Sequence, residues 1–194
     1  MKLILTTLFL LMLNYSFCQT VAQTIQKDFE TIIEATRQQN MDQVLEMTYP
    51  KLFDVYPKEM ISGMLTGMLQ SMGIQTMYED NETNLMLSPV KELSKSATTV
   101  CVGRYDQNMI LEFNDDEMGK MFSNYPMEGY TIEVISPRQI KMSGISYLLA
   151  INDRSTDHLW KYLNFVDDAS SPLNDTAILA PEIVEEVRKL IEGF

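Results

Sequence analysis

The sequence predicts an α+β fold, with N-terminal helices packed on an antiparallel sheet and a C-terminal amphipathic helix added. Three observations lead there. Apolar residues recur at helical spacing from Val21 to Met72. From Leu85 to Val166, short β-branched and aromatic runs alternate with turn-forming residues. After a polar stretch, Pro181 to Ile191 return to the helical period.

Before the first helix, residues 1–18 read as a secretory signal peptide. Lys2 supplies the positive end, and Leu3 to Leu13 form an apolar run broken only by Thr6 and Thr7. Ser16-Phe17-Cys18 then places small residues at −3 and −1 relative to Gln19. The run is too short to span a bilayer, which takes about 20 residues. Phe17 and Tyr15 disfavour a lipoprotein acylated on Cys18. The expectation is a periplasmic or secreted protein with a domain over 19–166. Residues 167–194 then form a linker and a C-terminal helix packed on it.

Val21, Ile25, Phe29, Ile32 and Ile33 fall on one face of the first helix, which polar Gln38, Gln39 and Asn40 bring to an end. A second helix over Asp42–Thr48 buries Val44 and Leu45 and stops at Pro50. Pro57 opens a third, where Met60, Ile61, Met64, Leu65, Met68, Leu69 and Met72 form an apolar stripe that Gly73 closes. The strands are expected over Leu85–Val90, Thr98–Tyr105, Gln107–Phe113, Tyr130–Ile135, Gln139–Met142, Ile145–Ile151 and Leu159–Val166. The turns between them include Asp106 and Ser143-Gly144, spacings short enough for antiparallel hairpins. Residues 114–129 are a longer connection holding a short helix over Glu117–Phe122. The last helix starts with Pro181 and Glu182 in its first turn. It puts Ile183, Val184, Val187, Leu190 and Ile191 on one side.

The paired helices, the Pro-started third helix and the hairpin strands resemble the NTF2-like (cystatin-like) superfamily. So does Tyr147-Leu148-Leu149-Ala150-Ile151, followed by a polar turn and Leu159-Trp160-Lys161-Tyr162-Leu163-Asn164-Phe165. The resemblance covers roughly residues 21–166 and implies a curved sheet closing a cone-shaped pocket. In some members, such as ketosteroid isomerases, an Asp base and a Tyr/Asp oxyanion hole act inside that cone. Tyr105, Tyr130, Tyr147 and Tyr162 are the strand tyrosines here; Glu112 and Glu133 alternate with apolar neighbours and belong to the solvent face.

Composition removes several function classes. With 15 Lys+Arg against 27 Asp+Glu the formal charge is −12, which argues against a nucleic-acid partner. Two Cys and one His cannot furnish a Cys/His zinc site or a disulfide framework, and no cofactor is expected. Cys101, the thiol left after the leader, lies in a β-branched run and reads as a buried structural side chain. His158 reads as a solvated turn residue beside Asp157 and Asp153. The acidic groups at Glu79–Glu82 and Asn114–Glu117 lack the spacing of a calcium loop. Nothing matches G-x-S-x-G, a P-loop, G-x-G-x-x-G or HExxH.

The most distinctive feature is the Met stripe, four of the chain's 15 Met at i, i+4 spacing with Gly63 and Gly67 between them. Its first reading is core against the sheet; a flexible surface for an apolar ligand, a close helix–helix contact and Cu(I) capture follow. The expected function is a non-enzymatic binding module for a small apolar molecule or a protein partner. No membrane span is expected in the mature chain. The alternative is an isomerase- or hydratase-like enzyme using the cone pocket. The candidate ligand contacts are Met64, Met68, Tyr105, Tyr147 and Trp160, with no catalytic and no metal-binding residue assigned.

Overall fold

Two long strands form the backbone of the sheet, and every other strand is short and lies along their outer edges. In this computed structural model the described residues are 21–79, 83–124, 129–166 and 176–194, with side chains omitted at 64–66 and 68–70. The signal segment, most of the acidic group at Glu79–Glu82 and the linker at Asp167–Asn174 lie outside them. The described residues hold an α+β fold with six helices and a seven-stranded antiparallel sheet.

Helix α1 (residues 21–37) gives way at Gln39, which has φ +55°, to α2 (Met41–Met47), capped by the Asn40 side chain accepting from the Gln43 amide. Pro50 was expected to stop α2. It also starts α3 (Lys51–Val55), because a residue without an N–H costs nothing where that N–H would be unpaired. Helix α4 (Lys58–Ser71) follows Pro57 as the sequence predicts. Gly73 closes it at φ +64°, and a Cβ there would sit 2.2 Å from Asn114 Nδ2. Glycine is required twice over, by the left-handed backbone and by the close approach.

Strand β1 (Ile74–Tyr78) was not anticipated, since Ile-Gln-Thr-Met-Tyr lacks a clean alternation. Of the strand expected over Leu85–Val90 only β2 (Met86–Leu87) forms, and β3 (Lys91–Leu93) follows beyond Ser88-Pro89. Strand β4 (Thr98–Phe113) runs straight through Asp106, and β6 (Gln139–Asn152) straight through Ser143-Gly144. Both expected turns are therefore corrected. Asp106 pairs with Ile145 and Gly144 with Gln107, so the two long strands lie side by side over nearly their full length. Helix α5 (Asp116–Ser123) lies between β4 and β5 (Tyr130–Ser136), capped by Asp115 accepting from the Met118 amide. A single 3-10 turn at Arg154–Thr156 joins β6 to β7 (Lys161–Phe165), and α6 (Pro181–Glu192) ends the chain.

Alternation along β4 and β6 divides the core between two faces. Val100, Val102, Leu149 and Ile151 pack with Leu163, Phe165 and the buried side of α6, Ile183, Val184 and Val187. Cys101, Leu148, Ala150 and Tyr162 pack on the other face against Ile25, Phe29, Ile32 and Ile33 of α1. The buried side of α6 thus lies on the sheet face opposite α1. Further along the α1 face, Ile74, Leu111, Phe113, Ile140 and Met142 form a third cluster, with Met118 and Phe122 of α5 against it.

A cavity at the centre of the sheet

The α1 face cannot be covered from end to end. Strand β4 has sixteen residues and extends about 50 Å at roughly 3.3 Å per residue. Helix α1 spans residues 21–37, about 25 Å at 1.5 Å per residue. Helix α1 closes one end of the face and α5 the other. Between them the sheet carries Tyr105 and Gln107 on β4, opposite Ser146 and Gly144 on β6. A cavity of about 820 Å³ lies against Tyr105 and Gln107.

Its helical wall is built by Ile33 and Thr36 of α1, Val44 and Leu45 of α2, and Ile61 of α4. Its sheet wall carries Tyr78, Tyr105, Gln107, Leu148 and Tyr162. Among the described lining residues none is Asp, Glu, Lys, Arg or His. The polar groups are hydroxyls and amides. At the corner between α1 and α2, Gln39 Nε2 donates to the Thr76 carbonyl over 3.3 Å, tying the helices to edge strand β1.

The polar end of the cavity follows from register. Gly144 lies between Gln107 on β4 and Tyr130 on β5. A Cβ at 144 would stand 2.6 Å from Tyr130 Cδ1, so the bare glycine lets the ring lie across β6. The Tyr130 hydroxyl thereby donates to Gln107 Oε1 over 2.9 Å and lies 3.0 Å from Ser146 Oγ. Ser146 Oγ donates to the same Gln107 oxygen. Burial pushes the Tyr105 phenol up to about 12, with the Ser146 hydroxyl pulling the other way. Burial and the neighbouring Tyr130 also raise Tyr78. Both phenols are protonated donors at neutral pH.

Of the candidate ligand contacts, Tyr105 lines the cavity. The Met64 and Met68 side chains lie outside the described residues. Tyr147 is one residue out of step with Leu148 and points to the opposite face, with its ring centroid 6.3 Å from that of Phe194. Trp160 packs among the α1 contacts and does not reach the cavity. Gln107 and Tyr78 also line the cavity and are not among those candidates. A turn placed at Asp106 hides the fact that 105 and 107 share a face, and residues 74–78 had no assigned strand.

Tyr162 donates to Asp28 Oδ2 over 2.5 Å, and burial followed by that carboxylate raises its pKa; Asp28 itself is not a lining residue. Asp153 turns its carboxylate to Tyr49 and Ser155, while His158 stays exposed on a left-handed backbone with φ +58°. In the second acidic group Asp115 caps α5 and Asp116 pairs with Arg138 at 2.7 Å. Among the described residues no three His, Cys, Asp or Glu side chains come together as a metal site, and no helix is long and apolar enough to cross a membrane. Comparison with known proteins finds no matching family model, no matching curated protein and no matching solved structure.

Proposed function

We infer that this protein is an exported binding module that takes a small, uncharged, largely apolar molecule into the central cavity. The observation that carries the reading is an 820 Å³ space whose described lining is aliphatic, aromatic or neutral polar. Ligand sites fall in the range of about 300–1,000 Å³ and combine apolar walls with a few placed polar groups. General acid–base chemistry needs a titratable group within reach of the reacting atoms. The described lining offers only phenols, and burial holds the Tyr105 proton in place to about pH 12. Binding therefore suits this wall better than an isomerase or hydratase does. Export rests on the leader pattern of residues 1–18. The NTF2-like resemblance stays part of the proposal, supported by helices α1 to α4 preceding a long-stranded antiparallel sheet with a cavity on one face.

The test is uptake of Nile red, an uncharged apolar dye, by the purified protein and by Val44→Trp, which places an indole in the cavity from α2. Saturable uptake, weakened about ten-fold by the substitution, is the expected result. A folded protein that takes up no dye would remove the reading, as would uptake indifferent to Val44→Trp.

A further inference from the structure

Gln107 sets what the cavity can recognise, an inference that rests on the binding function proposed above. A glutamine amide has an oxygen that accepts two hydrogen bonds and a nitrogen that donates two. Here both acceptor positions of Oε1 are used, by the Tyr130 and Ser146 hydroxyls. That arrangement occupies the oxygen and leaves the Nε2 donors to another partner. Nε2 has no protein acceptor among the described residues, yet it is not a sealed orphan: the only buried side-chain polar atom found there without a partner is Ser96 Oγ. Gln107 itself lines the cavity. Tyr105 stands two residues away on the same strand face and Tyr78 on β1, both lining the same space. This end of the cavity is therefore rich in donors.

We propose that Gln107 Nε2 and the Tyr105 hydroxyl form the recognition point for a neutral acceptor oxygen, a ketone, ester or amide carbonyl, on an otherwise apolar ligand. A carboxylate fits this end poorly. No cation is present in the described lining, and Arg37, whose charge reaches Tyr105, is not part of it. An amine fits worse still, because its donors would meet donors. The ligand class is then an apolar carbonyl compound, held by its chain against Ile33, Val44 and Leu148 and oriented by its oxygen at Gln107.

The test is calorimetric titration of the purified protein with three matched probes: 2-undecanone, undecane and undecanoate. The ketone should bind about ten-fold tighter than the hydrocarbon, as expected for one or two well-placed hydrogen bonds, and tighter than the carboxylate. Gln107→Glu keeps an acceptor for Tyr130 and Ser146 but replaces the donor nitrogen with oxygen. It should abolish the preference for the ketone over undecane. Tyr105→Phe, which removes one hydroxyl, should lower ketone affinity by a smaller factor and serves if the glutamate variant does not fold. Equal binding of ketone and hydrocarbon, or tightest binding of undecanoate, overturns the recognition point and leaves the cavity reading standing. Failure of all three probes to bind overturns both.

Discussion

The Tyr49 hydroxyl donates to Asp153 Oδ2 over 2.8 Å, joining two buried side chains that lie 104 residues apart. Tyr49 sits at the corner between α2 and α3, and Asp153 in the turn from β6 to β7. The same corner is held by the Tyr49 amide donating to the Tyr162 carbonyl at 2.9 Å. The pair fastens α2, and with it the Val44 and Leu45 wall of the cavity, to the last hairpin. Removing the hydroxyl with Tyr49→Phe deletes a bond to a charged acceptor and should cost about 1.5–3 kcal/mol in urea unfolding. A variant within a few tenths of the parent would mean the corner is held by its backbone contacts alone.

The same carboxylate makes the fold acid-sensitive. Burial works against the Asp153 anion, but the Ser155 hydroxyl, the Tyr49 hydroxyl, the Ser155 amide and Lys51 together hold its pKa below the ordinary value of 3.8. A group with a depressed native pKa adds stability that is fully present above the unfolded value and lost as pH falls through the native one. Urea midpoints measured at descending pH should therefore hold down to about pH 4 on this account and then drop. Asp153→Asn should start lower and show a shallower fall over that acid range. An unchanged slope in the variant would assign the acid loss to other carboxylates.

Gly144 tests how the polar end of the cavity is built. A methyl group there would lie 2.5 Å from the Gly129 carbonyl oxygen and 2.6 Å from Tyr130 Cδ1, closer than carbon atoms approach without displacement. The backbone oxygen cannot swing aside as a side chain can. Gly144→Ala should cost about 1–3 kcal/mol and release the Tyr130 ring, seen as a changed near-ultraviolet tyrosine signal. A silent substitution would show that β5 shifts freely along this edge.

Much of the layout was legible because it depends on local chemistry. The α1 face, the Pro57 and Pro181 starts, the Gly73 stop and the Cys101 environment all follow from residue type and spacing. The candidate site was less legible, for a physical reason. Asp106 and Ser143-Gly144 carry turn chemistry, yet each is held in a ladder by partners far along the chain, Ile145 for Asp106 and Asn108, Gln107 and Tyr130 for the pair. A false turn resets the two-residue alternation, so Gln107 lost its place beside Tyr105, and Tyr147 was grouped with residues of the opposite face. Tertiary pairing overrode local signals where the cavity lies.

Cys101 gives a prediction about reactivity. Its thiol is wholly buried; burial pushes its pKa up to about 11, against a hydrogen bond with Ser88, and Sγ donates to the Ser88 carbonyl over 3.4 Å. The thiolate is the reactive form, and about one thiol in a thousand is ionised three pH units below the pKa. The native protein should be silent to a thiol-reactive chromophore at pH 8 and label fully in denaturant. Rapid native labelling would place Cys101 at an opening of the sheet edge.

Helix α4 supplies the last prediction, because it carries two glycines in its interior without visible cause. Gly63 and Gly67 are exposed, and nothing lies within 4 Å of where a Cβ would stand at either one. Neither has the positive φ found at Gly73 and Gly129, so alanine fits the backbone at both. The close helix contact that small residues four apart permit is not made among the described residues. Alanine is favoured over glycine in a helix by about 0.5–1 kcal/mol per site, largely through the unfolded chain. Gly63→Ala with Gly67→Ala should therefore raise stability by about 1–2 kcal/mol in urea unfolding and leave dye uptake unchanged. Should the double variant lose stability instead, the open side of α4 must be filled when the protein is folded, and the glycines are there to let that neighbour approach.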